Sequence, residues 1–299
     1  MQNEPQRSFD RHLAVGQLVC AGKVLDLTRT HVMGILNITP DSFSDGGKFF
    51  VRDAALERAR QMVAEGASII DVGGESTRPG AAPVSVAEEM DRVIPVIEAI
   101  AKELDVPVSV DTSRPEVMRA AVAVGAGLIN DVRALRVEGA LETAVELGVP
   151  VCLMHMQGEP ATMQQNPQYG DVVSEVKEYL RERVRECVAA GIPRKRLLID
   201  PGFGFGKRTI HNLLLLKHLH EFAEIGLPIL VGVSRKGMIG RALNDAPLDQ
   251  RLFGSVAAAV IAAWQGASIV RVHDVRATAD AIRVCDVVRN AEGWREAMR

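Results

Sequence analysis

The sequence predicts an α/β chain folded as a (β/α)8 TIM barrel. Three observations carry that prediction: eight short runs rich in Val, Ile and Leu, helix-period segments between them, and no Ser/Gly-rich linker to divide the alternation. Repeated strand–helix units build a parallel sheet covered by helices, and eight of them fill roughly 250 residues. The chain has 299 residues, enough for such a barrel and a short extension. Apolar runs without polar alternation suit strands covered on both faces. An open doubly wound sheet is the competing arrangement, but it does not require the number eight.

Residues 1–30 fall outside the repeat. GQLVCAGKVLDL within them alternates like a hairpin, so residues 1–30 are read as an extension covering the bottom of the barrel and 31–299 as the barrel itself. The strands are expected at HVMGIL (31–36), SIIDV (68–72), PVSVD (107–111), LIND (128–131), VCLMH (151–155), LLID (197–200), ILVGVS (229–234) and IVRVH (269–273). Between them, residues 85–104 open with Ser85 and Glu88 at capping-box spacing and continue with apolar residues three and four apart. Pro95 is expected to kink this helix. Further helices are expected at 53–65, 115–123, 139–146, 171–188, 251–264 and 276–290.

Composition excludes several classes of function. A net charge of −3 is no nucleic-acid footprint. No run approaches the roughly 20 apolar residues that span a bilayer, and the polar start has no signal-peptide core, so a cytoplasmic protein without a membrane partner is expected. Cys20, Cys152, Cys187 and Cys285 form no CxxC pair and read as reduced, buried residues.

In such barrels the C-terminal ends of the strands build the site. Here they carry Asn37, then Glu75, Thr77 and Arg78, then Asp111, Asn130, Asp131, His155, Asp200, Ser234, Arg235, Lys236, Arg271, His273 and Asp274. Asp71, Asp131 and Asp274 can each cap a following helix; behind Asp111, Thr112 or Ser113 can cap instead, which frees Asp111. His155 reads as a packed histidine, and His12, His31, His211, His218 and His220 as surface, helix or supporting residues. Arg271 and His273 stand two apart on a strand and so share a face. An inward arginine needs a partner: either a bound anion or an internal pair with Asp200 or Asp111. DPGFGFGK (200–207) lets backbone approach a flat ligand, with Phe203 or Phe205 on its ring, unless it is an ordinary tight loop. NITPDSFSDGG (37–47) is overlong for a strand-to-helix connection, which commonly takes about 2–6 residues, and reads as a functional loop.

Together HVMGILNITPDSFSDGG, DVGGESTRPGA, VDTSRPEV, LINDVRAL, LMHMQG, DPGFGFGK, GVSRKGMIG and RVHDV resemble the dihydropteroate synthase family of pterin-binding barrels, in family order over about residues 31–275. The resemblance implies a stand-alone bacterial form. It implies condensation of 6-hydroxymethyl-7,8-dihydropterin diphosphate with p-aminobenzoate, giving 7,8-dihydropteroate and diphosphate in folate biosynthesis. It also implies that Asp111, Asn130, Met154, Asp200, Lys236 and Arg271 hold the pterin. Asn37 (through Mg²⁺), Arg78, Arg271 and His273 would hold the diphosphate. Phe43, Thr77, Arg78, Pro79, Phe205, Ser234 and Gly237 would lie on the p-aminobenzoate side, with sulfonamides as competitive mimics. Arg271, His273, Lys236 and Asp111 are the implied catalytic residues, and a homodimer is implied. The loop from Asn37 would then be a lid. Gly237 stands where some relatives carry Ser. A methyltetrahydrofolate methyltransferase would have no use for the diphosphate cluster, a binding-only homologue should have lost a motif residue, and a Schiff-base aldolase would rest on Lys236 alone.

Overall fold

The structure, a computed structural model, describes residues 16–38, 48–75, 84–159 and 162–291. A hairpin of β1 (Gln17–Cys20) and β2 (Lys23–Asp26) precedes the barrel. The barrel strands are β3 (His31–Asn37), β4 (Ile69–Gly73), β5 (Val108–Asp111), β6 (Leu128–Asp131), β7 (Val151–Met154), β8 (Leu197–Asp200), β9 (Leu230–Val231) and β10 (Ile269–Val272). They form one parallel eight-stranded sheet in the order 8-7-6-5-4-3-10-9, and a bridge between Ile199 and Ile229 closes it into the predicted barrel. Around it run α1 (Lys48–Ala64), α2 (Val86–Glu103), α3 (Pro115–Ala123), α4 (Ala140–Leu147), α5 (Val172–Ala189), α6 (Thr209–Lys217), α7 (Gly237–Ala242), α8 (Leu252–Trp264) and α9 (Val275–Arg289).

Strand side chains alternate between two environments. Val32, Leu36, Ile70, Val72, Val108, Val110, Ile129, Val151, Leu153, Leu197, Ile199, Val231, Val270 and Val272 face outward into the large core shared with the helices. Met33, Ile69, Leu128, Cys152, Leu198, Leu230 and Ile269 face inward, at the N-terminal half of the barrel. There they form a second core with Leu18, Cys20, Leu25 and Leu27 of the hairpin region. The hairpin sits so close to β6 that a Cβ on Gly127 would lie 2.6 Å from the Cys20 carbonyl carbon. Lys23 ties it further to the carbonyls of Leu104 and Val106, at 2.7 and 2.9 Å.

Local chemistry explains most boundaries. Ser85 caps α2 by accepting the Glu88 N–H, but the Glu88 carboxylate turns to Arg92, so only half of the capping box forms. The helix runs unbroken through Pro95, which stands on its exposed side. Asp171 caps α5 through the N–H groups of Val173 and Ser174. The seventh strand is shorter than expected: pairing stops before Gly232, which has no side chain to pack. Neither Thr112 nor Ser113 caps α3; Arg114 occupies that position, Thr112 Oγ1 accepts the Arg114 N–H, and Ser113 donates to Asp131. All four cysteines are free and buried. Among the described residues no helix is long and apolar enough to cross a membrane.

Leu18 is 1% exposed in the hairpin core. Leu18→Ala should therefore destabilise the fold by about 2–5 kcal/mol in urea unfolding, the range for a buried Leu truncation. A loss below about 0.5 kcal/mol would mean that the hairpin contributes nothing to the barrel.

Candidate active site

In the C-terminal half of the barrel the inward positions become polar. Asn37, Asp111, Asn130, Met154, Asp200, Phe205, Ser234, Lys236, Gly237, Arg271 and His273 all line one cavity of about 1040 Å³. Every described residue that the resemblance assigns to the site is therefore gathered there, whereas the strand-end residues Asp131, His155 and Asp274 do not line the cavity. Phe43, Thr77, Arg78 and Pro79 lie outside the described residues.

Arg271 takes an internal partner, and it is not Asp200. Its Nε donates to Asp71 Oδ2 at 2.6 Å and its Nη2 to Asp111 Oδ2 at 2.7 Å. Asn130 Nδ2 also donates to Asp71 Oδ2, at 3.2 Å. Asp71 is fully buried, so this pairing, not helix capping, is its role. Burial opposes the Arg271 charge, yet Asp71 and Asp111 hold the guanidinium firmly protonated. Burial pushes Asp111 up to about 7, with Arg271 pulling it back and Asp71 adding to the rise. Burial also pushes Asp200 up to about 6, against the Gly202 N–H that its Oδ1 accepts at 2.7 Å and the charge of Lys236.

Asp131 and Asp274 belong to the outward rows and serve structure. Asp131 accepts from the N–H groups of Arg133 and Leu135 and from Ser113, which fixes the turn after β6 rather than capping α4. Asp274 stands at the start of α9, but its carboxylate pairs with Arg235, at 3.0 and 2.6 Å, and caps nothing. Arg235 adopts a φ of 58° between the inward Ser234 and Lys236.

His273 is not a ready cation. Burial, then Arg271 and Arg235, push it down to about 4. Ser234 Oγ accepts the His273 backbone N–H at 3.2 Å and stands 3.1 Å from Nδ1. With one lone pair so used, the hydroxyl can still donate to Nδ1 or accept from it, so the contact holds the ring in place in either tautomer. Lys236 places its ammonium 4.4 Å from the centroid of the Phe205 ring. Phe203 is almost fully buried, which leaves Phe205 as the more accessible ring of that loop.

His155 is buried, as expected, and pushed down to about 2 by burial and the nearby Lys207. His31 is buried too, not at the surface, and its Nε2 meets the Asp26 carbonyl at 2.7 Å. The sequence reading missed the roles of four residues near the cavity: Asp71, the partner of Arg271; Lys207; and Arg235 and Asp274, which pair with each other. The two-residue strand period finds Asp71, which shares a face with Ile69 and Gly73.

Because burial raises the Asp200 pKa in the fold, its linked stability is present below about 4 and is lost as pH rises through about 6. Asp200→Asn should hence be more stable than the parent at pH 7.5, by on the order of 1–3 kcal/mol, with the gap shrinking towards pH 5. Denaturant titrations at both pH values check this; an Asn variant less stable at pH 7.5 would show that the carboxylate is well solvated or paired.

A family model described as "Pterin binding enzyme" matches residues 33–273. The dihydropteroate synthase of Escherichia coli K12 is 58% identical over 276 residues, covering 92% of this chain and 98% of that protein. The solved structure of Xanthomonas albilineans dihydropteroate synthase with 4-aminobenzoic acid is 53% identical with a TM-score of 0.87, over 92% of this chain and 98% of that one. That of the Yersinia pestis dihydropteroate synthase with a sulfonamide drug complex is 54% identical with a TM-score of 0.87, over 92% and 99%. A barrel whose inward acids, amide and cations converge on one cavity, matched by a family model over most of its length, belongs to the pterin binding enzyme family.

Proposed function

We propose that this chain is a dihydropteroate synthase, joining 6-hydroxymethyl-7,8-dihydropterin diphosphate to p-aminobenzoate in folate biosynthesis, with release of diphosphate. The observation that carries the reading is the set of Asp111, Asn130, Asp200, Lys236 and Arg271 around a single cavity, in a chain so close to enzymes of that name. Asp200 is suited to the pterin ring N–H and exocyclic amine, because a carboxylate accepts two donors side by side. Asn130 and Asp111 extend that hydrogen-bonding rim. Lys236 donates to the ring carbonyl and Met154 packs beside the ring. Arg271 offers a planar guanidinium for the pterin face.

The diphosphate lies towards Arg271, His273 and Asn37. Loss of diphosphate breaks the methylene C–O bond, and the electron pair leaves with the oxygen. Arg271 supplies fixed positive charge at that end. His273, pushed down to about 4, is neutral near pH 7 and contributes an imidazole contact rather than a second charge. The dihydropterin nitrogen stabilises the methylene cation in this SN1-like path, and the arylamine nitrogen then forms the C–N bond and loses a proton. A neutral arylamine needs no strong base.

The chemistry of the rim fits a magnesium ion. Gly73 leaves open a space that a Cβ would fill, 3.6 Å from Asn37 Oδ1 and 3.7 Å from Asp111 Oδ2. Magnesium takes hard oxygen ligands and commonly relies on one or two protein groups plus substrate phosphates. Among the described residues no group of three His, Cys, Asp or Glu could hold a metal; Asn37 together with the substrate's diphosphate oxygens would hold it. When bound, the ion neutralises charge on the departing diphosphate.

The p-aminobenzoate subsite takes Phe205, Ser234 and Gly237, with Phe43, Thr77, Arg78 and Pro79 from the two loops. Gly237 opens α7, and a Cβ there would meet nothing within 4 Å, so the position tolerates the Ser of some relatives. Sulfonamides occupy the same place as mimics. The assembly is read as a homodimer through α8, where Phe253 (84% exposed), Ile261 and Trp264 are apolar and uncovered, joined by Val284 and Val288 of α9. Phe253→Glu should convert a dimer to monomers in sedimentation; an unchanged mass would move the interface elsewhere.

The deciding assay is diphosphate release from the pterin diphosphate, with Mg²⁺, with and without p-aminobenzoate. Release that depends on p-aminobenzoate, with dihydropteroate formed, is expected; binding without turnover would leave a binding-only homologue. In that assay Arg271→Ala should lower kcat/KM by about 10²–10³-fold, the scale of removing one transition-state donor. Near-parental kcat/KM would remove Arg271 from the mechanism.

A further inference from the structure

The 202–206 loop carries Phe205 and abuts Asp200, and it is closed by one internal hydrogen bond, from the Phe205 N–H to the Gly202 oxygen at 3.1 Å. Three of its neighbouring carbonyls turn inward onto one atom. Lys207 Nζ lies 2.9 Å from the Gly202 oxygen, 3.0 Å from that of Phe205 and 3.3 Å from that of His155. A fourth acceptor, His155 Nδ1, stands at 2.8 Å. Lys207 is 3% exposed, so this ammonium is an interior charge, not a surface one. Four acceptors face three ammonium protons; the Gly202 oxygen also accepts the Phe205 N–H, so the charge chiefly serves the Phe205 and His155 groups.

The loop has no slack to fold differently around that charge. Gly202 and Gly206 hold φ of +71° and +60°. A Cβ on Gly202 would lie 1.9 Å from the His155 oxygen, and one on Gly206 2.3 Å from the Gln157 oxygen. Outer contacts lock the same path: Asn212 Oδ1 accepts the Gly204 N–H at 2.7 Å, and Tyr169 donates to the Gly206 oxygen at 2.9 Å. His155, which holds Lys207, packs edge-on against Tyr179 at 4.8 Å. The loop then delivers two things to the cavity. The Gly202 N–H fixes Asp200 Oδ1. Phe205 lies under the Lys236 ammonium.

We propose that Lys207 is a positioning residue for the pterin subsite. Its buried ammonium is the internal cation around which the 202–206 loop folds, and through Gly202 and its charge it holds Asp200 oriented and ionised. This rests on the reading of Asp200 as a pterin ligand. The charged or titratable groups facing Lys207 are Asp200, Lys236 and His155; His155 stays neutral above about 2, Asp200 holds the ammonium's proton and Lys236 repels it. Burial draws Lys207 itself down to about 7, so tests belong below that pH.

The experiment is calorimetric titration of 6-hydroxymethyl-7,8-dihydropterin between pH 5 and 7 for the parent and for Lys207→Met, which keeps the bulk and removes the charge. The parent should bind more tightly as pH rises through about 6, where Asp200 ionises. Lys207→Met should bind at least tenfold more weakly at pH 6.5, with the midpoint moved upward. Because the same loop carries Phe205, its KM for p-aminobenzoate at saturating pterin diphosphate should rise as well, whereas the shifted midpoint reports on Asp200 alone. A folded Lys207→Met with the parental midpoint and affinity overturns the proposal. A parent with no rise near pH 6 overturns the Asp200 reading instead. If Lys207→Met does not fold, nitrogen-15 spectra of the parent at pH 6 decide. A slowly exchanging lysine ammonium signal that shifts on pterin binding supports the role, and its absence refutes it.

Discussion

The interior of this barrel is governed by charge balance. A guanidinium in the middle of a closed sheet is sustainable only if opposite charge meets it with good geometry. Asp71 and Asp111 do so from two neighbouring strands, and Asn130 supports Asp71 from a third. The rest follows from that arrangement. Burial pushes Asp111 and Asp200 up even beside that arginine, so both keep raised pKa values and a demand for donors. A pterin edge, rich in N–H groups, is the kind of ligand that meets that demand.

The two halves of the barrel divide this work. The N-terminal half is filled by apolar side chains and sealed by the hairpin. It gives the rigid base against which a polar upper half can be held in an unfavourable state. Stability and function are thereby placed on the same strands, two residues apart.

Much of this was legible in the sequence because strand period and motif coincide. The eight runs, most helix limits and the hairpin could be read from apolar spacing and turn chemistry. Asn37, Asp111, Asn130, Asp200, Lys236, Arg271 and His273 could be placed because they follow strand ends. Partnership could not be read. That Arg271 chooses Asp71 over Asp200 depends on which strands are adjacent in the closed sheet and at what register. That Asp131 and Asp274 are structural depends on facing, and the period that shows it was available but outweighed by a general habit of capping. The depressed His273 depends on its burial in the closed barrel and then on two arginines, one from the preceding strand's loop, converging on it. Lys207 looked like the end of a glycine motif because nothing local announces that carbonyls from three residues will point at it.

The neutralised state of Arg271 bears on selectivity in a crowded solution. Free inorganic phosphate brings one or two O–H donors near neutral pH, but no planar N–H edge for the acids to meet. To seat on Arg271 it would have to displace or approach two carboxylates, and it would leave them without their counter-charge. A pterin diphosphate brings its own compensation, since the same molecule offers N–H groups to the acids and oxygens to the guanidinium. On the proposed reading, the internal ion pair favours a ligand that carries both halves of the exchange over a simple anion.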